Sequence, residues 1–502
     1  MKSFLTICML LAGLSLNAQH VSTDPSFGQS GIVAITNTSE INCLVVNPDG
    51  SIISAGYTLQ GGGTGIYHLT LSKTDANGVA DYDFGVNGLV TTEIEYSEFP
   101  LDILLQPDGK IIVAGSYYVG PGNNGPGTHE AFTIRYHTNG ITDSTFGEYG
   151  VYKSYDSDSH ISSLMLLADG SILLGGNNYT GAILTKLKSN GIADEAFGIN
   201  GTLQLSSPDF RFIFWQAALL SDGNIICVGY EGSDLSNYKT AYCKLDISGN
   251  YIPGFGQGGR VVTDIYDTMP NIVELLSVVR ELPGGKILMA GYHMSAMLLQ
   301  INADGTPDLN FGINGLVNHR YPFKDLEIQA DGRILIGGSK EISDYNYGYT
   351  LSRLMADGSP DTSFNGSGTF DLDISPANDY LQTMKMQSPG KLIAGGSSRL
   401  NGSANFTLTR INLNTFVSTS PQVRNTYEPS IYPNPFRDHI FISDDQHTIQ
   451  KINLLDYTGR MIQVLNNPGH ATAIFIDQPA GIYFLQMETN SGQVITRKLI
   501  RQ

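Results

Sequence analysis

The sequence predicts an all-β chain, a seven-bladed β-propeller followed by a small C-terminal β-sandwich. Three observations predict it: a composition suited to strands and tight turns, a turn phrase recurring seven times, and a change of pattern after residue 414. Only 15% of the 502 residues are charged, against 57 glycines, 26 tyrosines and 21 phenylalanines. That balance favours short strands joined by turns over surface helices.

The first recurring phrase is an apolar strand, a tight turn and a second apolar strand. It is clearest at Asp108-Gly109-Lys110-Ile111-Ile112-Val113, Asp169-Gly170-Ser171-Ile172-Leu173-Leu174, Asp222-Gly223-Asn224-Ile225-Ile226 and Asp331-Gly332-Arg333-Ile334-Leu335-Ile336, while Asp49-Gly50, Gly284-Gly285 and Pro389-Gly390 open the other three. The turn glycines at 50, 109, 170, 223, 285, 332 and 390 lie 59, 61, 53, 62, 47 and 58 residues apart, which makes seven copies. Asp-Gly and Asn-Gly favour the primed two-residue turns that preserve the twist of a hairpin, so primed turns are expected here.

A second phrase follows: a strand carrying a basic residue, an Asx-Gly turn, then Asp-x-x-Phe-Gly-x-x-Gly. Asp308 to Gly315 is the model copy, with others at Asp81, Asp143, Asp194 and Asp361; Asn365 replaces the first glycine of the last, and Ile252 stands where the copy around Phe255 needs its aspartate. Phe84, Phe146, Phe197, Phe255, Phe311 and Phe364 read as anchors between repeats. Each repeat therefore holds about four strands, and four-stranded antiparallel units repeated seven times make a propeller. A β-solenoid is the rival architecture, but its coils are shorter and lack paired hairpin turns.

The ends of the array favour closure. The seventh copy stops after Thr409-Arg410-Ile411-Asn412 without its Asp-x-x-Phe-Gly half, and that half stands at Asp24-Pro25-Ser26-Phe27-Gly28 near the N-terminus. The first strand can thus complete the last blade and remove the free edges of an open array. These phrases resemble the delta-60 repeat family of exported proteins over about residues 20–415. The resemblance implies a propeller and carries no activity of its own.

Residues 1–18, with Lys2, an apolar run from Phe4 to Leu16 and Ala18, have the layout of a secretory signal peptide. Residues 19–414 then form the propeller, 415–430 a Ser/Thr/Pro-containing linker and 431–502 a separate β-domain. That last domain has Tyr432-Pro433-Asn434-Pro435, Gly459-Arg460 and Gly481-Ile482-Tyr483 in order between short alternating strands. The arrangement resembles the type A sorting domain of the type IX secretion system, which implies that system as a partner and delivery to the cell surface or the medium. An ordinary carbohydrate-binding or immunoglobulin-like module is the other reading.

The net charge is −18; residues 19–428 hold 22 Lys+Arg against 41 Asp+Glu, so the acidity belongs to the repeat region. Such a field repels phosphate backbones and anionic lipid, which excludes nucleic acid as a partner, and no apolar stretch is long enough to span a bilayer. A monomer is expected. Beyond the signal peptide there are three cysteines, Cys43, Cys227 and Cys243, an odd number that cannot be the framework of the fold. Cys227 and Cys243 fall in neighbouring strands of one repeat and can pair across the ladder or remain buried thiols.

Strand parity puts the Asx-Gly turns on one face of the ring and the longer connections on the other. The long-loop side is rich in Tyr, Gly, Asn and Ser, a composition of adaptable binding loops in which tyrosine supplies contact area at small entropic loss. Candidate ligand-binding residues are Tyr57, Tyr67, Tyr117, Tyr118, Tyr230, Tyr238, Tyr345 and Tyr347; the competing reading is solvent-exposed loops without a role. No nucleophile elbow, phosphate loop or metal-spaced His/Cys motif occurs, so neither a catalytic site nor a cofactor nor a metal is expected. Asp75 to Asp81 looks superficially like a calcium loop, but its recurrence in most repeats favours Asx turns, and Trp215 reads as core or loop packing. The expected function is binding of a glycan or protein ligand outside the cell. The alternatives are a secreted hydrolase acting on polysaccharide and a structural surface or adhesion component.

Overall fold

The computed structural model describes residues 20–502 apart from 37, 61–64, 121–126, 155, 157, 207–211, 233–238, 264–274, 294, 321–322, 344, 401, 416–428, 445–448, 457–459, 470 and 491–493. Residues 1–18, where a signal peptide is expected, most of the 415–430 segment, Tyr238 and Gly459 lie outside the described residues. Two compact units are present, residues 1–417 and 418–502. Among the described residues every regular element is a strand.

Among the described residues the first unit contains seven antiparallel sheets. In the first sheet the strands run Glu40–Val46, Ile52–Gln60, Ile66–Thr74 and Leu89–Thr92 in spatial as well as chain order. The next five repeat this meander. Their first strands are Ser97–Leu105, His160–Leu166, Phe212–Leu219, Leu275–Glu281 and Asp325–Ile328, and the seventh sheet begins with Tyr380–Ser388. Each first strand lies against the first strand of the next sheet, and Tyr380–Ser388 returns against Glu40–Val46, so the sheets form a ring around these inner strands.

The seventh sheet takes its outer strand from the other end of the chain. Ser403–Thr415 pairs antiparallel with Ile32–Ile35, in the register Ile32 to Thr409 and Ile35 to Phe406, and also with His20–Thr23. Phe27 is fully buried between Ile41, Leu44 and Ile52 of the first sheet and Ile393, Phe406 and Leu408 of the seventh. The equivalent Phe84, Phe146, Phe197, Phe255, Phe311 and Phe364 are buried too.

These phenylalanines sit where one repeat docks on the next. The backbone N–H after the phenylalanine donates to the carbonyl of the Asx residue in the following sheet's turn, at 2.9 Å from Gly28 to Asn77, 2.9 Å from Gly85 to Asn139, 2.7 Å from Gly147 to Asn190 and 2.8 Å from Gly312 to Asp357. A side chain at Gly78 would collide with Val33 and with the Phe27 ring, at 2.6 and 3.0 Å from an added Cβ. The Asx-Gly turn is thus the socket for its neighbour's phenylalanine. Asn365 takes the glycine position of the seventh phrase at φ 50°, a left-handed conformation asparagine tolerates better than other non-glycine residues, and donates to the Thr369 carbonyl at 3.0 Å.

An ion pair from the preceding strand closes most of the phrases. Lys73 meets Asp81 at 2.8 Å, Arg135 meets Asp143 at 2.9 Å, Arg353 meets Asp361 at 2.7 Å and, across the two ends of the chain, Arg410 meets Asp24 at 2.8 Å. The copy with Ile252 shows why its aspartate can be lost: Lys244 turns to Asp222 of the preceding Asp-Gly turn at 2.7 Å, and Ile252 packs against the neighbouring core.

The turns differ from the expected primed type. In Asn47-Pro48-Asp49-Gly50 only the glycine has positive φ, at 86°, and Gly50 N–H donates to the Asn47 carbonyl at 2.9 Å. This is a type I turn closed by a left-handed glycine, one residue longer than a primed hairpin. The aspartate keeps ordinary φ and its carboxylate spans the glycine, accepting from Ser51 N–H at 2.9 Å, as Asp169 does from Ser171 at 2.9 Å. Asp75 likewise accepts from Asn77 and Val79 N–H, both at 2.8 Å, which accounts for the segment resembling a calcium loop.

The second unit has a three-stranded sheet, Ser430–Tyr432, His439–Ser443 and Ala471–Phe475, and a four-stranded one, Ile449–Asp456, Met461–Asn466, Gly481–Thr489 and Val494–Arg501. Ile440, Ile442 and Ile474 of the first share one core with Ile452, Leu454, Leu485 and Leu499 of the second, a small sandwich.

Candidate functional site: the long-loop end of the ring

The inner strands carry a repeated irregularity that shapes this end of the ring. A bulge falls between Ile41 and Cys43, Pro100 and Asp102, Ile161 and Ser163, Phe214 and Gln216, Leu276 and Val278, and Leu381 and Thr383. The skipped residue of each pair is left unpaired and re-aimed. In the second and fourth sheets that residue is Leu101 and Trp215, 39% and 40% exposed.

Trp215 is therefore a surface residue and not the packing residue expected from sequence. Its backbone is held on both sides. Asn177 donates to the Phe214 carbonyl at 2.6 Å and accepts the Phe214 N–H at 3.1 Å, and Ser163 Oγ accepts the Ala217 N–H at 2.8 Å. Because the Phe214 N–H must face Asn177 Oδ1, the Asn177 amide nitrogen faces His160 Nε2, 3.2 Å away. His160 Nε2 is then the acceptor and its proton sits on Nδ1. Burial lowers the His160 pKa, with the charge of His129 acting in the same sense, so the ring is neutral at neutral pH.

Two adjoining depressions of about 340 and 360 Å³ share Asp158, His160 and Trp215 in their walls. Leu101, Ser116 and His129 line the first; Asn177, Asn178, Tyr179, Ile213 and Tyr230 line the second. Among the described residues no lysine or arginine lines either one, and Asp158 is the single carboxylate. Larger clefts of about 1030 and 740 Å³ lie elsewhere, at equivalent places against the Asx-Gly turns Asp357-Gly358 and Gly191 and walled by the Phe-Gly phrases themselves, as products of the repeat.

The aromatic wall continues into the first two sheets. Tyr57 and Tyr67 meet edge to face at 5.0 Å, both contact Phe99 at 5.7 and 5.6 Å, Phe99 lies 6.2 Å from His129, and Tyr118 lies 5.5 Å from His129. Tyr57, Tyr67 and Tyr118 are half-buried, and the Tyr57 hydroxyl donates to Glu40 at 2.8 Å. Four of the sequence-named tyrosines, these three and Tyr230, thus join one track that His129 links to the Trp215 depressions. Tyr347 stands apart with Tyr380, ring centres 5.9 Å apart, and Tyr345 is 92% exposed.

Tyr117 does not belong to the surface. It is 2% exposed, packed in the core between the first two sheets, and its hydroxyl donates to Glu130 at 2.5 Å. Strand alternation turns Tyr118 outward and its neighbour inward. Sequence reasoning missed Phe99, His129, His160 and Trp215. Their one available signal was position near the start of an inner strand or of a third strand, beside a long connection.

Around the inner strands, polar side chains join neighbouring sheets. Asp102 accepts the Leu164 N–H at 2.8 Å, Asp325 accepts the Met384 N–H at 2.8 Å and pairs with Arg280 at 2.8 Å, and Lys385 pairs with Glu327 at 2.9 Å. Each of these carboxylates is committed to a neighbouring sheet.

In the second unit the sorting motif is mostly internal bracing. Asn434 donates to the Lys498 carbonyl at 2.8 Å and accepts the Ile500 N–H at 2.9 Å, which ties the first segment to the last strand. Arg460 closes its hairpin on Asp456 at 3.1 Å, Gly481 opens the strand Gly481–Thr489, and buried Tyr483 donates to the Pro479 carbonyl. Tyr432 is exposed and stacks on Phe441 at 6.0 Å, with Pro433 and Pro435 exposed beside it.

Residues 430–502 match the family described as a secretion system C-terminal sorting domain. Residues 106–146 and 329–364 match a β-propeller domain of unknown function. No curated protein is significantly similar in sequence to the chain. Among solved structures, a protein of unknown function from Dyadobacter fermentans is 11% identical over 78% of this chain and 100% of its own, with a TM-score of 0.43. A protein from Lactobacillus plantarum is 14% identical over 62% of this chain and 80% of its own, with a TM-score of 0.40, and prolyl oligopeptidase B from Galerina marginata is 11% identical over 83% and 58%, with a TM-score of 0.41. The chain is a β-propeller protein bearing a C-terminal sorting domain of the type IX secretion system, and so belongs among the proteins delivered to the cell surface or the medium.

Proposed function

We propose that this exported propeller is a non-catalytic binding protein that takes a glycan chain along the aromatic track at its long-loop end. The observation that carries the reading is Trp215, pushed outward by a bulge and held by clamps on both sides, beside the neutral His160 and the amides of Asn177 and Asn178. A sugar ring has an apolar C–H face and a rim of hydroxyls. An indole offers a flat surface for the first, and neutral donors and acceptors serve the second. Because Trp215 is placed before binding, little ordering cost falls on the complex.

The chain's net charge of −18, together with a lining that holds no cation among the described residues, favours uncharged over anionic polymers. The test is a glycan array probed with the full chain, then with Trp215→Ala and Tyr230→Ala. The expected outcome is binding to neutral glycans, reduced about 30-fold by Trp215→Ala, as befits loss of a central aromatic anchor worth about 2 kcal/mol. Binding to no glycan, or binding that survives Trp215→Ala unchanged, overturns the proposal.

A further inference from the structure

Cys227 and Cys243 stand directly opposite each other on adjacent antiparallel strands, in unbroken register from Ile225 with Leu245 to Glu231 with Lys239. Both side chains point to the same face of the sheet, into a core with Phe212, Phe214 and Leu184, and they are 0% and 1% exposed. Directly opposed residues in an antiparallel ladder have Cα atoms about 4.5–5.5 Å apart, inside the range of about 4.4–6.8 Å that a disulfide spans. Cys43 belongs to a different core, between the first and second sheets, and has no such neighbour.

We propose that Cys227 and Cys243 are joined by a disulfide in the secreted protein. The step breaks both S–H bonds and forms one S–S bond; two protons and two electrons pass to a disulfide-bearing oxidant of the cell envelope, which leaves as a dithiol. The envelope is an oxidising compartment, and the sorting domain places this chain on a route through it.

Burial raises the Cys227 pKa further in the folded sheet, beyond the effect of its contact with Cys243, and a buried thiol without thiolate character reacts slowly. The bond therefore forms during folding, while the local hairpin that carries both residues is still open to the oxidant. The loop it closes is short, about 15 residues, so the partners meet early. The bond ties together the two strands whose far end presents Tyr230. The inference does not depend on what that end binds.

The experiment uses the full chain collected from the medium or surface of a host that exports it. The protein is unfolded in denaturant with iodoacetamide and no reductant, digested, and mapped by mass spectrometry. The expected result is a cross-linked peptide pair containing Cys227 and Cys243, lighter by two hydrogen atoms than the two thiol peptides, with Cys43 alone alkylated. Reduction before alkylation then labels all three. Secreted Cys243→Ser should lose the cross-link and leave Cys227 alkylated. Complete alkylation of all three cysteines in the unreduced secreted protein overturns the proposal, as does a cross-link from Cys43 to either of the others.

Discussion

Truncating Phe27 to alanine tests whether the ring is closed by its own N-terminus. Phe27 is 0% exposed and fills the seam between the seventh and first sheets. Losing a fully buried phenylalanine costs about 3–5 kcal/mol. For a unit of about 400 residues that free energy corresponds to a fall of roughly 4–6 °C in melting temperature. Phe84→Ala is the internal comparison, since Phe84 is equally buried in the next seam, between sheets that chain connectivity already joins. Thermal denaturation of the full chain should show similar losses for both. Hydrogen exchange should separate them: Phe27→Ala should lower protection along Ser403–Thr415, whose outer partners are His20–Thr23 and Ile32–Ile35, and Phe84→Ala should leave that strand protected. If Phe27→Ala melts as the wild type does and Phe84→Ala does not, the N-terminal strand is no part of the ring.

Three further outcomes follow from the charges. Burial alone raises the Asp24 carboxyl, but hydrogen bonds from Lys391 and Ser26 and the Arg410 charge outweigh it and hold it well below the usual carboxylate range. Its stabilisation is present above about pH 4 and lost as pH falls through the depressed value, so Asp24→Asn should destabilise at pH 7 by about 3 kcal/mol and by much less near pH 2, measured by urea titration. Asp102 behaves in the opposite sense: burial pushes it up to about 6, partly offset by the Leu164 and Ile103 N–H groups and the charges of Lys385 and Arg280. Its contribution is full below about pH 4 and lost as pH rises through about 6, so Asp102→Asn should be more stable than wild type by about 1 kcal/mol at pH 7.5 and no more stable at pH 4. Asp222→Asn strips Lys244 of the carboxylate that replaces the missing aspartate at 252, and because that carboxylate is half exposed should cost only about 1 kcal/mol by the same titration, whereas Asp169→Asn, whose nearby Lys186 pairs with Asp194 at 3.4 Å, should cost less.

The ring was legible in the sequence because its parts repeat. Seven phenylalanines at one place in one phrase require one seam each, and a phrase missing at one end and present at the other points to closure by Ile32–Ile35. Turn type was misread for a specific reason. Asp-Gly suggests a primed turn when the dipeptide alone fills the loop, but here Pro48 or its counterpart lengthens the loop by a residue, and only glycine needs the left-handed conformation. Ile252 looked like a defect and is compensated by Asp222, a partner some thirty residues earlier that no local pattern indicates.

The long-loop end was only half legible, and strand geometry explains which half. Alternation within a strand separates Tyr117 from Tyr118 only if the register is known, and a tyrosine pair in sequence cannot say which member faces the core. At the inner strands the difficulty is greater, because each bulge shifts the alternation by one residue. Without the bulge between Phe214 and Gln216, strict alternation would give Trp215 the face opposite both neighbours along a smooth ladder; with it, the indole is unpaired and lifted to the surface, where Asn177 and Ser163 from the preceding sheet fix the backbone on either side. Those two clamps come from residues 38 and 52 positions earlier, in a different sheet. The tryptophan's exposure is therefore a property of two sheets and their register, and it exists only once the ring has assembled.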